Sequence, residues 1–451
     1  MCRECVEAQK VIRLHSSSFV LPPADDNTRP TGKPLKILII NQSFWPDVVA
    51  TAQQAHDLAQ YLAARGDEIS IVASRSLYGK PGATLPSFEN VDGIKIHRVS
   101  RNFFRKRGLL KRSIDYVRFN LACLIKCLLL PRQHVVICLT TPPFIAVVGI
   151  ALKLLKGSQF VLWSMDLYPD LPVQAGIIKR DGLFHSLLKR IDVFCLRHAD
   201  RVVVLGSCMR ARMEQKGVSS QSIAMIHPWS DPVEIPETPL HALGSRDSYR
   251  SLWDIGDRFV IQYSGNYGLG HDVETIQQVM LALKDDDGIR WVIVGDGIMK
   301  PVIDAFVRRH GIRNVLLQPY QPRSRLGPLI ALGDAHLVLM LPGYEGIILP
   351  SKFYGVLAAG RPSIFVGPAA SEVARVIQQQ DCGFVIRNGD AQGLIDALRT
   401  LRADRAHATH LGHRGREALE LHYSMQRACA AWRALLHQVA KDGGINIGGA
   451  A

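Results

Sequence analysis

The sequence contains little that is typical of membrane-spanning, metal-binding or nucleic-acid-binding proteins. The apolar run at residues 121–130 includes Lys126 and is well short of the roughly twenty residues that cross a bilayer. Only Cys2 and Cys5 have the CxxC spacing, so the second pair that a zinc site needs is missing. The absence of zinc-finger and recognition-helix motifs argues against a nucleic-acid partner. The start MCRECVEAQK is too polar for a signal peptide, so we expect a cytoplasmic protein.

Positive charge is concentrated in one segment. The formal net charge is +14, and residues 98–118 contain many basic residues against the single acid Asp115. The basic residues are Arg98, Arg101, Arg105, Lys106, Arg107, Lys111, Arg112 and Arg118. Because the apolar run 121–130 follows, the two segments predict a surface that rests on an anionic membrane. The alternative is a solvated basic loop that leads into a core helix.

Short apolar runs alternate with helical periods along most of the chain. The segment LKILIIN is typical of a buried parallel strand, and the next helical stripe has Thr51 as a candidate N-cap and Gly66 as its stop. The alternation recurs in both halves of the 451 residues, a length that is too great for one core. The predicted fold is α/β, with two Rossmann-like doubly wound domains that face a central cleft.

Changes in composition predict the domain boundaries. Three prolines and mixed charges interrupt the alternation after residue 230, and the last residues are rich in glycine. The predicted segments are a disordered leader at 1–33, a first domain at 34–229, a linker at 230–257, a second domain at 258–415, closing helices at 416–440 that could pack back on the first domain, and a loose tail at 441–451.

Two glycine-rich turns in the second half are candidates for a phosphate site. In YSGNYGLGHDVET, residues 263–275, a strand opens into several glycines before a helix begins. The sequence GDG at residues 295–297 repeats the arrangement after the next strand. Glycine lets backbone N–H groups approach phosphates, and a helix N-terminus adds partial positive charge. Ordinary tight turns would produce the same pattern.

A third loop, GYEGIILPSKFYGVLAAGRP at residues 343–362, leads into another helix. Pro350 and Ser351 fit helix-start positions, and Lys352 falls in the first turn. The helix dipole disfavours a cation there unless an anion lies nearby. A bound diphosphate would be such an anion, and a solvated lysine is the alternative.

From Leu35 to about residue 440 the sequence resembles the retaining GT-B glycosyltransferases of family 4. The stretch NQSFWPDVVATAQQAHDLAQYLAARGDEISIVAS resembles the acceptor domain of the branch that builds bacterial surface polysaccharides, including colanic-acid-type and O-antigen enzymes. The segments SMDLYPD, VIVGDG and LPSKFYGVLAAGRP resemble its other signatures.

The resemblance implies transfer of a hexosyl or deoxyhexosyl group from a nucleotide-sugar, with retention of configuration and without a metal or other cofactor. The acceptor would be a lipid-linked sugar or a glycan, bound by the first domain at the inner face of the cell membrane. The second domain would bind the donor.

The resemblance also implies roles for individual residues. The donor would contact Gly265, Asn266, Gly268, His271, Gly295, Gly297, Gly346, Pro350, Ser351, Lys352 and Gly355. The catalytic candidates are Asp166, where many relatives have a histidine, and Glu345, near the transferred sugar. An ordinary turn or helix-cap aspartate is the alternative for Asp166. Trp45, Pro46 and Thr51 lie on the expected acceptor side.

Several positions depart from the family pattern. Asn266 and His271 stand where relatives carry an arginine and a lysine, so Lys352, His271 and Arg361 are the candidates for neutralising the diphosphate. Gly355 replaces a glutamate that grips the nucleotide ribose in many relatives. Residues 48–51 replace a glycine pair of the acceptor loop.

Other activities fit the same fold. A nucleotide-sugar epimerase would turn over the donor without an acceptor, and a phosphorylase would need a lysine-bound pyridoxal cofactor. An inactive scaffold of a polysaccharide assembly complex would explain the departures from the family pattern.

Overall fold

The structure is a computed structural model that describes residues 33–47, 49–77, 83–101, 108–231, 235 and 249–445. Nearly all of the predicted leader, and parts of the predicted linker and tail, lie outside these residues. The described strands form two sheets, one in each half of the chain.

The first half is built on a sheet of eight described strands. They are β1 (Lys36–Ile40), β2 (Glu68–Ser74), β3 (Phe88–Val91), β4 (Ile94–Val99), β5 (Val135–Cys138), β6 (Gln159–Trp163), β7 (Arg201–Val204) and β8 (Ile223–Met225). Their order is β3-β4-β2-β1-β5-β6-β7-β8, and all pairs are parallel except β3 with β4. The helices are α1 (Ala50–Ala63), α2 (Gly108–Leu129), α3 (Ala146–Lys156), α4 (Asp170–Gln174), α5 (Leu183–His198) and α6 (Ser207–Gln215).

The second half contains a parallel sheet of six described strands. They are β9 (Phe259–Ser264), β10 (Ile289–Val294), β11 (Val315–Gln318), β12 (Ala335–Leu339), β13 (Ser363–Val366) and β14 (Gly383–Ile386), in the order β11-β10-β9-β12-β13-β14. The helices are α7 (Tyr249–Leu252), α8 (Val273–Ala282), α9 (Lys300–Arg309), α10 (Leu326–Ala331), α11 (Lys352–Ala358), α12 (Glu372–Gln380), α13 (Ala391–Ala403), α14 (Arg405–Ala418) and α15 (Met425–Asp442). The predicted α/β fold with two Rossmann-like domains is confirmed.

Strand β3 was not predicted from the sequence. Asp92 and Gly93 join it to β4 with φ angles of 51° and 82°, which suits a tight hairpin turn. The hairpin places Glu89 against Arg98, whose buried guanidinium donates to the Glu89 carboxylate and, at 2.9 Å, to the carbonyl oxygen of Trp45. Arg98 therefore belongs to the interior of the domain, and its assignment to the basic surface was wrong.

Helix α1 begins earlier than its predicted N-cap. The carbonyl oxygen of Val49 accepts hydrogen bonds from the N–H groups of Ala52 and Gln53 at 3.0 and 3.1 Å, so Val49 is the N-cap. Thr51 lies within the first turn, and its prediction as the N-cap was wrong.

The last helix, α15, leaves the second half and packs on the first. Trp432 is fully buried against Trp163 of β6, with ring centroids 4.6 Å apart. Arg433 on the same helix contacts the Asp67 carboxylate at 3.4 Å. The end of the chain thus joins the two halves through the core of the first domain.

Replacing Trp432 should test this connection. We expect Trp432→Ala to lower the free energy of unfolding by about 3–5 kcal/mol, because it leaves a cavity beside Trp163. Urea denaturation followed by circular dichroism measures the change. Gln426→Ala, at an exposed position of the same helix, is the control and should change stability by less than about 0.5 kcal/mol. Equal effects of the two variants would contradict the packing role.

Candidate functional site

The loops after β9 and β12 meet where the second sheet reverses its strand order. Ligands of open α/β sheets bind at such reversals, beyond the carboxyl ends of the strands. Leu341 N–H donates to the carbonyl oxygen of Gly270 at 2.8 Å. A Cβ atom on Gly270 would lie 2.9 Å from the ring of Tyr344, so this close approach requires glycine. The two loops hold the predicted donor residues Gly265, Asn266, Gly268, His271, Gly346, Pro350 and Ser351.

The GDG turn after β10 packs against the first glycine loop. Gly265, Gly295 and Gly297 have φ angles of 141°, 133° and 149°, which side-chain-bearing residues rarely adopt. A Cβ atom on Gly295 would lie 2.0 Å from the Gly265 carbonyl oxygen, and one on Gly297 would lie 2.5 Å from the Tyr267 nitrogen. Backbone packing between the turns therefore accounts for these glycines. Their contact with a donor stays a prediction.

Lys352, the first residue of α11, reaches back to the glycine loop. Its Nζ atom lies 3.4 Å from the centroid of the Tyr263 ring, and its Cε atom lies 3.4 Å from the Cβ position of Gly265. Although the residue as a whole is half-buried, Nζ is buried and has no hydrogen-bond partner among the described residues. Burial lowers the pKa of Lys352 well below its usual value. An ammonium group in this position can donate to an anionic ligand.

His271 carries no positive charge beside Lys352 in this structure. Burial, assisted by the charge of Lys352, lowers the pKa of His271 to about 3. Its Nδ1 atom lies 3.0 Å from the carbonyl oxygen of Gly268, so we assign the proton to Nδ1 and leave Nε2 as an acceptor. The imidazole is therefore neutral in this structure, and its neutralisation of a bound diphosphate stays a prediction, because an adjacent anion would raise the pKa of His271.

Arg361 lies at the amino ends of the strands of the second sheet. It comes two residues before β13, whose first residue, Ser363, pairs in register with His336 near the start of β12. The charge of Arg361 contributes to the lowered pKa of His336, after the larger effect of burial. Because the donor loops leave the carboxyl ends of the strands, the hypothesis that Arg361 neutralises the diphosphate is contradicted.

Gly355, at the position of the missing glutamate, lies one turn after Lys352 on α11. The nearest atom to a Cβ at this position is Cδ1 of Ile235, at 3.8 Å. A Cβ atom would therefore fit without a clash, so close packing at this position does not explain why glycine stands here.

The two catalytic candidates lie on loops that touch across the two halves. Leu167, which follows Asp166, donates its N–H to the carbonyl oxygen of Ile347 at 2.9 Å, two residues after Glu345. Helix α4 starts at Asp170 with Pro169 as its N-cap, so Asp166 does not cap it. Burial raises the pKa of Asp166 to about 6. A carboxyl group with this pKa can exchange protons near neutral pH.

Arg212 of α6 fixes the Glu345 loop and was not predicted from the sequence. Its Nε atom donates to the backbone oxygen of Glu345, and Nη2 donates to the oxygen of Gly343 at 3.1 Å. A Cβ atom on Gly346 would lie 2.4 Å from the oxygen of Cys208, so the loop lies tightly against the first domain. Glu345 and Gly346 line a narrow cavity of about 10 Å³ between the domains. Arg212 belongs to no motif, so only the tertiary structure identifies it.

The loop after β1 holds Trp45 and Pro46, and Thr51, the third predicted acceptor-side residue, lies in the first turn of α1. Trp45 and Pro46 are exposed, and the ring of Trp45 stacks on His56 with centroids 5.8 Å apart. Burial, assisted by the charge of Arg323, lowers the pKa of His56 to about 4. Arg323 comes from the second half and contacts the carboxylate of Asp57 at 3.2 Å. The loop after β1 is therefore close to the other domain.

In the described part of the chain, no group of three or more His, Cys, Asp or Glu side chains could hold a metal ion. Among the described helices, none combines the length and apolarity that crossing a membrane requires.

Comparisons with known proteins assign both halves to described domain families. Residues 50–229 match the Glycosyl transferase 4-like domain, and residues 259–404 match Glycosyl transferases group 1. WbjE of Pseudomonas aeruginosa, named as a glycosyltransferase, is 27% identical over 68% of this chain and 76% of its own length. WcaI of Escherichia coli strain K12, named as a glycosyl transferase of colanic acid biosynthesis, is 23% identical over 76% of this chain and 86% of its own.

A solved structure has the same two-domain architecture. HepE of Anabaena, crystallised in complex with UDP and glucose, superposes with a TM-score of 0.68 at 13% identity. The match covers 89% of this chain and 99% of the HepE chain. The fold is therefore GT-B.

The buried ammonium of Lys352 should make stability depend on pH. Because the folded state lowers the pKa of Lys352, unfolding takes up a proton between that lowered pKa and the usual value of about 10.4, and stability rises with pH in this window. Lys352→Met should remove this rise and raise the melting temperature most at the lower pH values. Melting temperatures from pH 6 to 10 measure it, with exposed Lys284→Met as the control. If the difference in melting temperature between Lys352→Met and the parent is the same at every pH, the ammonium group of Lys352 is not desolvated in the folded state.

Proposed function

Because the chain belongs to the glycosyltransferase family of these two domains, we propose that it transfers a sugar from a nucleotide-diphosphate donor to a lipid-linked or polysaccharide acceptor in cell-surface polysaccharide synthesis. The unpaired ammonium of Lys352 beside the Gly265 loop is the observation that supports a diphosphate ligand. The complex of HepE with UDP and glucose, and the naming of WcaI for colanic acid biosynthesis, agree with such a donor and such a product.

The chemistry follows from where negative charge develops. Transfer breaks the bond between the sugar and the diphosphate, and charge grows on the oxygen that leaves. Lys352 and the backbone N–H groups of residues 266 and 268–270 would stabilise that charge more strongly in the transition state than in the ground state. The N–H groups of Gly265, Tyr267 and His271 already donate to backbone oxygens. Charge stabilisation of this kind requires no metal ion, and we propose a metal-independent reaction with retention of configuration, in which the group transferred is a hexosyl or deoxyhexosyl unit.

Asp166 and Glu345 would act beside the transferred sugar. The pKa of Asp166, raised by burial to about 6, suits a group that exchanges a proton with an acceptor hydroxyl. Arg212 of the first domain donates to the backbone oxygen of Glu345 and so holds the Glu345 loop close to the Asp166 loop.

We also propose that the enzyme works at the inner face of the cell membrane through α2. Val117, Leu121, Ile125 and Leu129, four residues apart, are 53–77% exposed on one face of this helix. Phe119, Cys123 and Cys127 are buried on the opposite face. Helix α2 therefore packs one face into the core and exposes an apolar stripe on the opposite face. Basic residues precede and accompany the stripe, so an anionic lipid surface is its matching partner.

The proposed reaction predicts release of nucleoside diphosphate. Purified protein, a panel of nucleotide-sugars and bacterial lipid extract should together release it, as measured by a coupled assay. Lys352→Ala should lower kcat/KM by about 10- to 100-fold, because a charged hydrogen-bond donor is worth about 1.5–3 kcal/mol. Exposed Lys284→Ala is the control and should stay within about twofold of the parent.

The alternatives give different outcomes in the same assay. An epimerase of GT-B fold would convert the donor sugar with no acceptor and no release of diphosphate. A non-catalytic scaffold would show neither release nor turnover. Absence of both release and nucleoside diphosphate binding would refute the proposal.

The membrane surface predicts binding to anionic vesicles. The double variant Leu121→Ser, Ile125→Ser should lower binding to phosphatidylglycerol vesicles by about tenfold or more, since each side chain loses about 1.5–3 kcal/mol of burial. Co-sedimentation measures binding, and Leu252→Ser, an exposed leucine of the second half, is the control. Unchanged binding of the double variant to the vesicles would show that α2 does not contact the membrane.

A further inference from the structure

A cavity in the first domain lies at the carboxyl ends of β5 and β6. Thr140, Ser164, Asp166, Asp192 and Met213 are among its lining residues, and its volume is about 40 Å³. A space of this size holds a few water-sized groups. It would therefore receive the hydroxyl groups at one edge of a sugar ring and would be too small for a nucleotide.

One polar group in the cavity is left without a partner. Ser164 is 1% exposed, and its Oγ atom makes no hydrogen bond to any described residue. The Thr140 hydroxyl oxygen, by contrast, accepts hydrogen bonds from the N–H groups of Met165 and Asp166, each at 3.2 Å. A buried hydroxyl that pairs with nothing is destabilising, so Ser164 indicates a site that a polar ligand completes.

The charges around the cavity select the class of ligand. Asp166 and Asp192 contribute carboxyl groups to its lining, whereas Lys216 is already held between Asp170 and Asp192 at 2.5 and 2.7 Å. A diphosphate would be repelled here. Neutral hydroxyl groups would donate to the carboxylates and accept from Ser164, which matches the chemistry of a sugar.

The helices that line the cavity also carry exposed apolar side chains. Helix α3 starts at Ala146, a lining residue, and exposes Val147, Leu154 and Leu155. Helix α5 contributes Asp192 to the lining and exposes Leu187 and Phe194. The two helices pack against each other. A polar cavity thus lies next to a hydrophobic surface, as an amphipathic ligand requires.

We propose that this cavity binds the sugar head group of a lipid-linked acceptor, whose hydrocarbon chain lies along the exposed residues of α3 and α5. The inference rests on the proposed glycosyltransferase activity and selects the lipid-linked acceptor over a free polysaccharide. Ser164 and Asp192 are then specificity-determining residues of the acceptor site.

Titration of the full-length protein with octyl glucoside below its micelle concentration tests the site. With ¹³C-methyl methionine labelling, we expect the Met213 resonance to shift saturably, while Met280 in the core of the second domain stays unchanged. Ser164→Ala should weaken binding by about threefold to tenfold, because one hydrogen bond is lost. The same variant should raise the melting temperature, because an unpaired buried hydroxyl is removed. Ser219→Ala, at an exposed position, is the control for both readouts.

Three outcomes would overturn the inference: no shift of Met213, an unchanged affinity in Ser164→Ala, or an equal affinity for 1-octanol, which lacks the sugar. Calorimetry with UDP and GDP separates this inference from the proposed function. If neither UDP nor GDP binds, the proposed donor site is rejected. Binding of octyl glucoside reports on the cavity alone.

Discussion

The burial of one ammonium group without an acceptor is the constraint on which the second domain depends. Lys352 is held against the Tyr263 ring and the Gly265 backbone, where water cannot solvate its charge. Desolvating an unpaired cation is unfavourable, and a ring face offsets only part of that cost. Because His271 is neutral in this structure and Arg361 lies at the amino ends of the strands, Lys352 would carry more of the charge compensation than the family pattern suggests.

The contacts between the two halves bring the loops of the two acidic candidates together. The backbone of Leu167 bonds to Ile347, and the Glu372 carboxylate accepts from the N–H and hydroxyl of Ser207 at 2.9 and 2.8 Å. Helix α15, late in the chain, adds the packing of Trp432 against Trp163. The hydrogen bond between Leu167 and Ile347 joins two backbone groups, so it requires the Asp166 and Glu345 loops to approach closely. The two halves are therefore in direct contact at the loops that carry Asp166 and Glu345.

The sequence predicted the elements whose signals are local. Buried parallel strands and glycine turns depend on neighbouring residues, so their positions were recognised, whereas β3 is short and half polar and was missed. The roles of Arg361 and Arg98 were misjudged, because the end of the sheet where a residue lies and the burial of its side chain depend on tertiary contacts. The unpaired hydroxyl of Ser164 and the contacts of Arg212 leave no pattern in the sequence at all.

The exposed apolar residues of the first domain have a common physical explanation. Helix α2 buries one face and exposes leucine, isoleucine and valine on the opposite face. Helices α3 and α5 expose further apolar residues, and α3 packs against both α2 and α5. Three adjacent helices thus present hydrophobic surface, and α3 begins at the cavity beside Asp166. A lipid leaflet would cover this surface and would also deliver an acceptor whose polar end can reach the cavity beside Asp166.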